Sequence, residues 1–508
     1  MLNRCRGPPR VGVSRKSLGG PPSWGTPLTK NPQGRPMSYD LYCPPARENE
    51  PTDDDGIPPG IHEGDAPAFL RRHRRECSGS DLRNRHVRRI IARKVIRRIA
   101  DTRNLWLAAL HLCRGGTKAA GPNGQRLTHL LRQNPRRVRN ELRTLSQQVT
   151  EGTYVPGPVR KVKIPKASGK GTRTIEVANW QDQVVQRAIA QVLEPILDPT
   201  FSGKSFGFRP GRGRESAIAW AVRWMETTGM HTVIAADVRN AFDNLVHKEL
   251  LQRVQHAFGS RPLTRLIKRI IQSNERKKGI AQGGCLSPLL LNLVLDAVVD
   301  KKWERQHPQT PLIRYADDVL VICRNEEEAA QAYVNLQNLL RPVGLSVKGS
   351  PSSDIKDTSV EPVEWLGYAM RYGRKRVTTR TGKDLQKRIH QRLKQCLEGA
   401  DGPIRAQVML KGLFAQLGPC YRDENHKRII GLIEATAREL KIQELPSGAE
   451  LHSAWRSAHL RYRDLRRHTA TTPFVAGGCN YVSGRGSARH HEKTRPKKVE
   501  FNVPDSGH

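Results

Sequence analysis

Three short apolar segments that adjoin acidic residues limit the folds open to this chain more than any other feature. The first segment, 232–236, ends at Asp237, and two further apolar runs flank Asp317 and Asp318, 80 residues downstream of the first acid. All have the composition of buried strands, and the residues between the later runs suit a tight hairpin turn. Because clustered carboxylates between buried strands must be neutralised, a bound divalent metal ion is expected.

The alternation of side chains along a strand predicts that Asp317 and Asp318 do not both face the same ion. A third acid is therefore required, and Asp237 is the candidate. Each feature alone has a simpler explanation, since Asp-Asp is a common turn pair and an aspartate often caps a helix. Together, at the ends of apolar strands, they favour a two-metal site for in-line phosphoryl transfer.

The charge of the chain indicates its class of partner. The 508 residues have room for several domains and carry a net charge of +39, with a pI near 10.5. Such an excess requires a polyanion, and nucleic acid is favoured over an anionic membrane because no segment approaches the ~18–20 apolar residues that span a bilayer. The nine cysteines include no Cys-x-x-Cys pair, so neither a zinc ribbon nor a disulfide framework is predicted.

Two elements outside the acidic segments follow from periodicity. Val87, Ile91, Val95 and Ile99 recur every four residues among arginines and lysines, which predicts one basic amphipathic helix. Segments 159–164 and 172–177 are predicted to pair as a basic β-hairpin.

Seven motifs resemble those of reverse transcriptases of the group II intron-encoded (maturase) type, in the order typical of that family. They are VRKVKIPK at 159–166, GTR at 171–173, SFGFRPGR at 205–212, DVRNAFD at 237–243, QGGCLSP at 282–288, YADD at 315–318 and WLGY at 365–368. The similarity extends over residues 105–440. The chain lacks the paired cysteines of a His-Asn-His endonuclease, so target cleavage in cis is not expected.

The resemblance implies an α+β right-hand polymerase, with fingers and a palm built from an antiparallel sheet plus helices, and a helical thumb. We expect five segments, which are a disordered Pro-Gly-rich basic extension (1–78), an N-terminal helical extension (79–150), fingers and palm (151–372), a maturase X-like thumb (373–468) and a flexible basic tail (469–508).

The resemblance also implies residue roles around the metal ions. Asp237 and Asp317 would hold two Mg²⁺ ions, for which Mn²⁺ can substitute, and Asp318 would complete the carboxylate group. One ion would act on the primer 3′-hydroxyl and the other on the triphosphate and the leaving pyrophosphate. A family lysine after the segment 344–347 is displaced in this sequence, and Lys348 and Lys356 are the two candidates to replace it.

Substrate contacts are implied in the same way. Arg160, Lys166 and Arg173 match positions that clamp the triphosphate, although a hairpin this basic is also suited to gripping template phosphates. Phe242 resembles the aromatic gate that excludes a 2′-hydroxyl, with a core phenylalanine as the alternative. Gln282 resembles the glutamine beside the nucleotide. The primer grip would comprise Trp365, Leu366, Gly367 and Tyr368.

The leading hypothesis is an RNA-directed DNA polymerase that uses an RNA template, a DNA or RNA primer and dNTPs. A splicing maturase acting on group II intron RNA, alone or as a second role, is the alternative. An RNA-templated RNA polymerase is disfavoured by Phe242. The expected location is the bacterial cytoplasm, in association with nucleic acid, or an organelle, because an acid-poor start is also typical of transit peptides.

Overall fold

A computed structural model describes residues 65–114, 119–165, 171–382, 385–396, 402–421, 423–442 and 445–471. These residues form helices and three antiparallel sheets, which confirms the predicted α+β class. The chain divides into two compact units that are each assembled from separate segments. Unit 1 contains described residues up to Thr200 with Gly207–Gly213 and Asn240–Val294, and unit 2 contains Phe201–Phe206, Arg214–Arg239 and described residues from Leu295.

Unit 1 begins with six helices, α1 (Asp65–Ser78), α2 (Arg85–Ala92), α3 (Val95–Ala100), α4 (Thr102–Arg114), α5 (Leu127–Gln133) and α6 (Pro135–Glu151). Helix α1 lies within the segment predicted to be disordered. The buried face of α1 includes His73, which is hydrogen-bonded to the Val192 carbonyl at 2.9 Å, and Cys77. Because this face has few apolar residues, the apolar pattern does not predict the helix. The rest of the predicted disordered extension, 1–64, lies outside the described residues.

The single basic helix expected from the four-residue repeat is instead two helices, α2 and α3, which are separated by a turn at Arg93 and Lys94. The repeat still identified the buried face, because Ile91, Val95 and Ile99 are all buried. Periodicity reports which side chains point inward, and a one-turn break leaves that signal intact.

The rest of the chain follows in the order β1 (Val159–Pro165), β2 (Thr172–Ala178), α7 (Trp180–Leu197), α8 (Arg214–Thr228), β3 (Thr232–Asp237), α9 (Ala241–Asn244), α10 (His247–Phe258), α11 (Arg261–Ile271), α12 (Ser287–Leu295), α13 (Lys301–Gln306), β4 (Leu312–Tyr315), β5 (Asp318–Cys323), α14 (Glu326–Leu340), α15 (Pro351–Asp354), β6 (Ile355–Asp357), β7 (Val363–Trp365), β8 (Tyr368–Gly373), β9 (Arg376–Thr381), α16 (Leu385–Cys396), α17 (Gly402–Ala415), α18 (Asp423–Glu439) and α19 (Gly448–Thr471). A π-helical turn, Asp296–Asp300, joins α12 to α13. The predicted hairpin is present as β1 and β2.

The central sheet of unit 2 has the strand order β4-β5-β3-β6, and every pairing is antiparallel. Its core side chains include Val233, Ile313, Leu320 and Ile322, which join Met225 of α8 in one apolar cluster. Burial of each such side chain contributes roughly 1.5–3 kcal/mol, and this packing fixes the strand register.

The second sheet of unit 2, β7-β8-β9, is followed by the helices α16 to α19. The sheet runs to Thr381, and α19 runs to Thr471. The boundary between palm and thumb at residue 372 stays a prediction. The helical C-terminal region is anchored by Trp455, whose buried indole donates a hydrogen bond to the Leu417 carbonyl at 2.7 Å. No helix of the described residues is long and apolar enough to cross a membrane. The predicted basic tail from residue 472 lies outside the described residues.

Candidate active site

The three predicted acids meet at one end of the central sheet. Asp237, the last residue of β3, lies directly opposite Asp318, the first residue of β5. Asp317 lies in the two-residue turn between β4 and β5, and its carbonyl accepts a hydrogen bond from the Val238 amide at 3.0 Å. Side chains opposite one another in an antiparallel pair project from the same face at about 5 Å between their Cβ atoms. The sheet therefore brings Asp237 and Asp318 together.

The electrostatics of this group follow from its crowding. Burial, then the charges of Asp317 and Asp237, raise the pKa of Asp318 from 3.8 to about 7, while Lys348 opposes the shift. Like charges opposite one another on a sheet repel, so the ionised form of Asp318 is disfavoured without a cation.

This shift predicts a pH-dependent cost to folding. The unfolded chain loses the Asp318 proton at lower pH than the folded chain, so the stability of the folded state falls as pH rises through the interval from 3.8 to about 7. In EDTA, the Asp318→Asn variant should melt about 5 °C above wild type at pH 8, and the gap should narrow by pH 5. Calorimetric melting scans measure this. A gap that is the same at both pH values would show that Asp318 titrates normally.

A lysine that the sequence left ambiguous is placed by the structure. The Lys348 ammonium is 3.2 Å from Asp237 Oδ2, and the Lys348 amide donates to the Asp237 carbonyl at 2.9 Å. The other candidate, Lys356, lies on β6 and pairs with Glu361. Lys348 is therefore the lysine that contacts the carboxylate group.

The residues present fit a divalent ion. No three His, Cys, Asp or Glu side chains of the described residues are grouped so as to hold a metal ion by themselves. Mg²⁺ does not require such a cage, because it is commonly bound by one or two carboxylates together with water and substrate phosphates. The hard oxygen donors of Asp237, Asp317 and Asp318, and the mutual repulsion that raises the pKa of Asp318, suit a cation of this kind.

A second group of predicted site residues lies in unit 1. Phe242 is half-buried on the short helix α9, and its carbonyl accepts from the Ile280 amide at 2.6 Å. Gln282 donates its side-chain amide to Asp243 Oδ2 at 3.0 Å. Gly279, with φ +79°, lies so close that an added Cβ would stand 2.8 Å from the Phe242 carbonyl. Close backbone packing thus fixes the position of Phe242.

The hairpin β1–β2 is joined to this second group, since the Glu176 amide donates to the Gln282 carbonyl at 2.9 Å. Glu176 also pairs with Arg276. Arg173 is exposed on β2, and Arg160 is exposed on β1, where its guanidinium donates to the Ala120 carbonyl at 2.8 Å. Lys166 lies outside the described residues.

The predicted primer grip forms the turn of the β7–β8 hairpin in unit 2. Trp365 and Tyr368 face each other across the hairpin and are buried, while Leu366 and Gly367 form the turn with φ of 52° and 84°. Arg214 donates to the Leu366 carbonyl at 3.2 Å. The aromatic rings are core residues, Leu366 is partly buried against the same core, and Gly367 is exposed.

Sequence reasoning missed Arg314 and Asp300, a buried ion pair next to the β4–β5 hairpin. Each gives a signal in hindsight, because a charged residue inside an apolar strand or an apolar helix must find a buried partner. Which partner it finds depends on the tertiary structure.

An antiparallel sheet that places two acids at a hairpin and a third on the adjacent strand is the arrangement expected of the palm of a right-hand polymerase. The comparison with protein families agrees, since residues 164–370 match the family described as "Reverse transcriptase (RNA-dependent DNA polymerase)". These residues therefore resemble a reverse transcriptase domain.

Curated relatives specify the type of domain. The chain is 24% identical over 311 residues to the group II intron-encoded protein LtrA of Lactococcus lactis subsp. cremoris. The aligned region covers 48% of this chain and 52% of LtrA. It is 28% identical over 273 residues to protein YkfC of Escherichia coli (45% of this chain, 70% of YkfC). It is also 24% identical over 288 residues to the putative COX1/OXI3 intron 1 protein of Saccharomyces cerevisiae (45% of this chain, 34% of that protein). The resemblance to group II intron-encoded reverse transcriptases is confirmed, and the chain spans about half the length of LtrA.

Proposed function

We propose that the chain is an RNA-directed DNA polymerase, related to group II intron proteins, that extends a primer on an RNA template. The observation that carries this proposal is the placement of Asp237 opposite Asp318 in the sheet register, with Asp317 in the adjoining turn. The arrangement concentrates negative charge at the end of a strand pair, where phosphoryl transfer requires divalent cations.

Asp237 and Asp317 would hold two Mg²⁺ or Mn²⁺ ions, and Asp318 would add to the field that attracts them. When bound, such ions activate the primer hydroxyl and neutralise the charge of the triphosphate and the leaving pyrophosphate. Lys348, whose ammonium lies beside Asp237, would stabilise negative charge on the triphosphate once the metal ions neutralise that carboxylate.

Arg160, Arg173 and Lys166 of the basic hairpin would contact the triphosphate. Phe242 would close the space beneath the sugar, and Gln282 would lie beside the base. Leu366 and Gly367, held between Trp365 and Tyr368, would support the primer terminus. In support of this assignment, the Glu176 amide of the hairpin donates a hydrogen bond to the Gln282 carbonyl. The predicted triphosphate contacts of the hairpin and the predicted base contact of Gln282 are therefore held together by a direct bond.

The experiment that tests the proposal is primer extension by the full chain on an RNA template in Mg²⁺, with dNTPs and NTPs compared at equal concentration. We expect extension with dNTPs, little with NTPs, loss of product in EDTA, and strong inhibition by salt because the net charge is +39. Absence of extension in both Mg²⁺ and Mn²⁺, or a preference for NTPs, would contradict the proposal.

A second role, as a maturase that binds intron RNA, is favoured by one observation. Burial lowers the pKa of His256 on α10, and the nearby charges of Arg85, Arg253, Arg88 and Arg89 lower it further. Such an arginine cluster, within unit 1, would bind the phosphates of an RNA backbone. The compartment, cytoplasmic or organellar, stays a prediction.

A further inference from the structure

The side chain of Arg314 is the most enclosed charged group near the acids of unit 2. It lies on β4, three residues before Asp317, and is 1% exposed. Its guanidinium donates to both carboxylate oxygens of Asp300, at 2.8 Å from Nε to Oδ1 and 2.6 Å from Nη2 to Oδ2. A third bond runs from Nη1 to the carbonyl of Ala316, at 2.9 Å.

That third bond determines where Asp317 lies. Ala316 has φ +59°, a left-handed conformation that costs a residue other than glycine strain unless its surroundings hold it. The Ala316 carbonyl belongs to the same peptide unit as the Asp317 amide. The hydrogen bond from Arg314 therefore restrains the backbone immediately before Asp317. The carbonyl of Asp317 is held on the other side by the Val238 amide. Asp317 is therefore fixed through both of its peptide units.

The arginine is itself held rigidly. Its own amide donates to the Lys204 carbonyl at 3.0 Å, and its carbonyl accepts from the Phe206 amide at 2.8 Å. Its partner Asp300 ends the π-helical turn, a helix irregularity that is frequent at functional sites. The same turn carries buried Asp296, which accepts from the Ser202 amide at 2.7 Å.

We propose that the Arg314–Asp300 pair positions a catalytic group. It holds the turn at Ala316 and thereby sets the place of the Asp317 carboxylate, which would bind a metal ion. The inference rests on the proposed polymerase function. A buried ion pair is costly to desolvate and is often replaceable by apolar residues without loss of stability. Here the pair has a third bond, to the catalytic turn, that an apolar replacement cannot make.

The first test is Arg314→Lys in the full chain, measured by steady-state primer extension. Lysine keeps the charge but cannot reach Asp300 with two bonds and Ala316 with a third, so the turn loses its restraint. We expect kcat to fall by about 10–100-fold with the KM for dNTP unchanged, because small misplacements of a reacting group have effects of this size. The Mg²⁺ concentration for half-maximal activity should rise several-fold.

The matched control is Arg98→Lys. Arg98 is also enclosed, at 14% exposure, and it bonds to Glu76 and to His73 Nδ1, all in unit 1. This variant weakens a partly buried ion pair in unit 1, and it should retain the kcat and Mg²⁺ requirement of wild type. A fall in kcat as large as that of Arg314→Lys would show that loss of stability alone explains the result and would overturn the proposal.

The second test removes both charges with Arg314→Met and Asp300→Leu together. If the pair only stabilises the fold, this variant regains both melting temperature and kcat, which would overturn the proposal. If the pair positions Asp317, stability returns and kcat stays low. Should the double variant fail to fold, Asp300→Asn, which keeps the shape of the partner, must still raise the Mg²⁺ requirement, and a wild-type requirement would overturn the proposal. A wild-type chain that extends no primer would refute the proposed function instead.

Discussion

Replacement of Asp317 by alanine is expected to abolish primer extension, lowering the single-turnover rate by at least about 10³-fold, since one metal-held carboxylate accounts for several kcal/mol of transition-state stabilisation. Asp317 lies in the turn between β4 and β5, beside the facing pair Asp237 and Asp318. Under the proposed function, its loss would remove a metal ligand without removing a core side chain. The measurement is single-turnover extension at saturating dNTP, together with the binding affinity for primer and template.

The matched control for this variant is Asp357→Asn. Asp357 lies on β6 opposite Thr232, at the other end of β3 from Asp237, so it shares the sheet and not the acidic group. We expect its extension rate to stay within about 3-fold of wild type, as for a surface substitution away from a site. Any intron splicing by the chain should survive Asp317→Ala. If splicing and extension fell in parallel, the separation of the catalytic and RNA-binding roles would be wrong.

Phe242→Ala is expected to relax sugar selection, reducing the preference for dNTPs over NTPs by about 10²-fold, the size of effect that a steric pocket achieves. The ring is half-buried, and its backbone is fixed by the Ile280 amide and by the close approach of Gly279. A ring on so constrained a backbone can act as a rigid barrier to a 2′-hydroxyl. Ratios of kcat/KM for paired nucleotides give the preference.

Phe242→Tyr serves as the control, because it keeps a ring of nearly the same shape and should retain the selection. The alternative, that Phe242 only fills the core, makes a different prediction. Alanine would then lower incorporation of dNTPs and NTPs by the same factor, leave their ratio unchanged, and lower the melting temperature by an amount typical of a large-to-small core substitution.

Much of the candidate site was predictable because strand signals are local. The apolar run before Asp237 and the two runs around Asp317 and Asp318 specify their own strands, and β3, β4 and β5 are found where the composition places them. The hairpin β1–β2 was predictable for the same reason. Helix α1 was not, because its buried face depends on the polar residue His73, whose partner is the distant Val192 carbonyl.

The sequence by itself determined the strands, the acids at their ends, the positive charge and the family resemblance, since each depends on neighbouring residues or on composition. Only the tertiary structure decided that Asp237 faces Asp318, that Lys348 rather than Lys356 contacts the acids, and that Arg314 reaches the Ala316 carbonyl through its pairing with Asp300. The physical reason is that strand register and buried ion pairs join residues far apart in the chain, and packing of the whole core selects among the partners that local sequence leaves open.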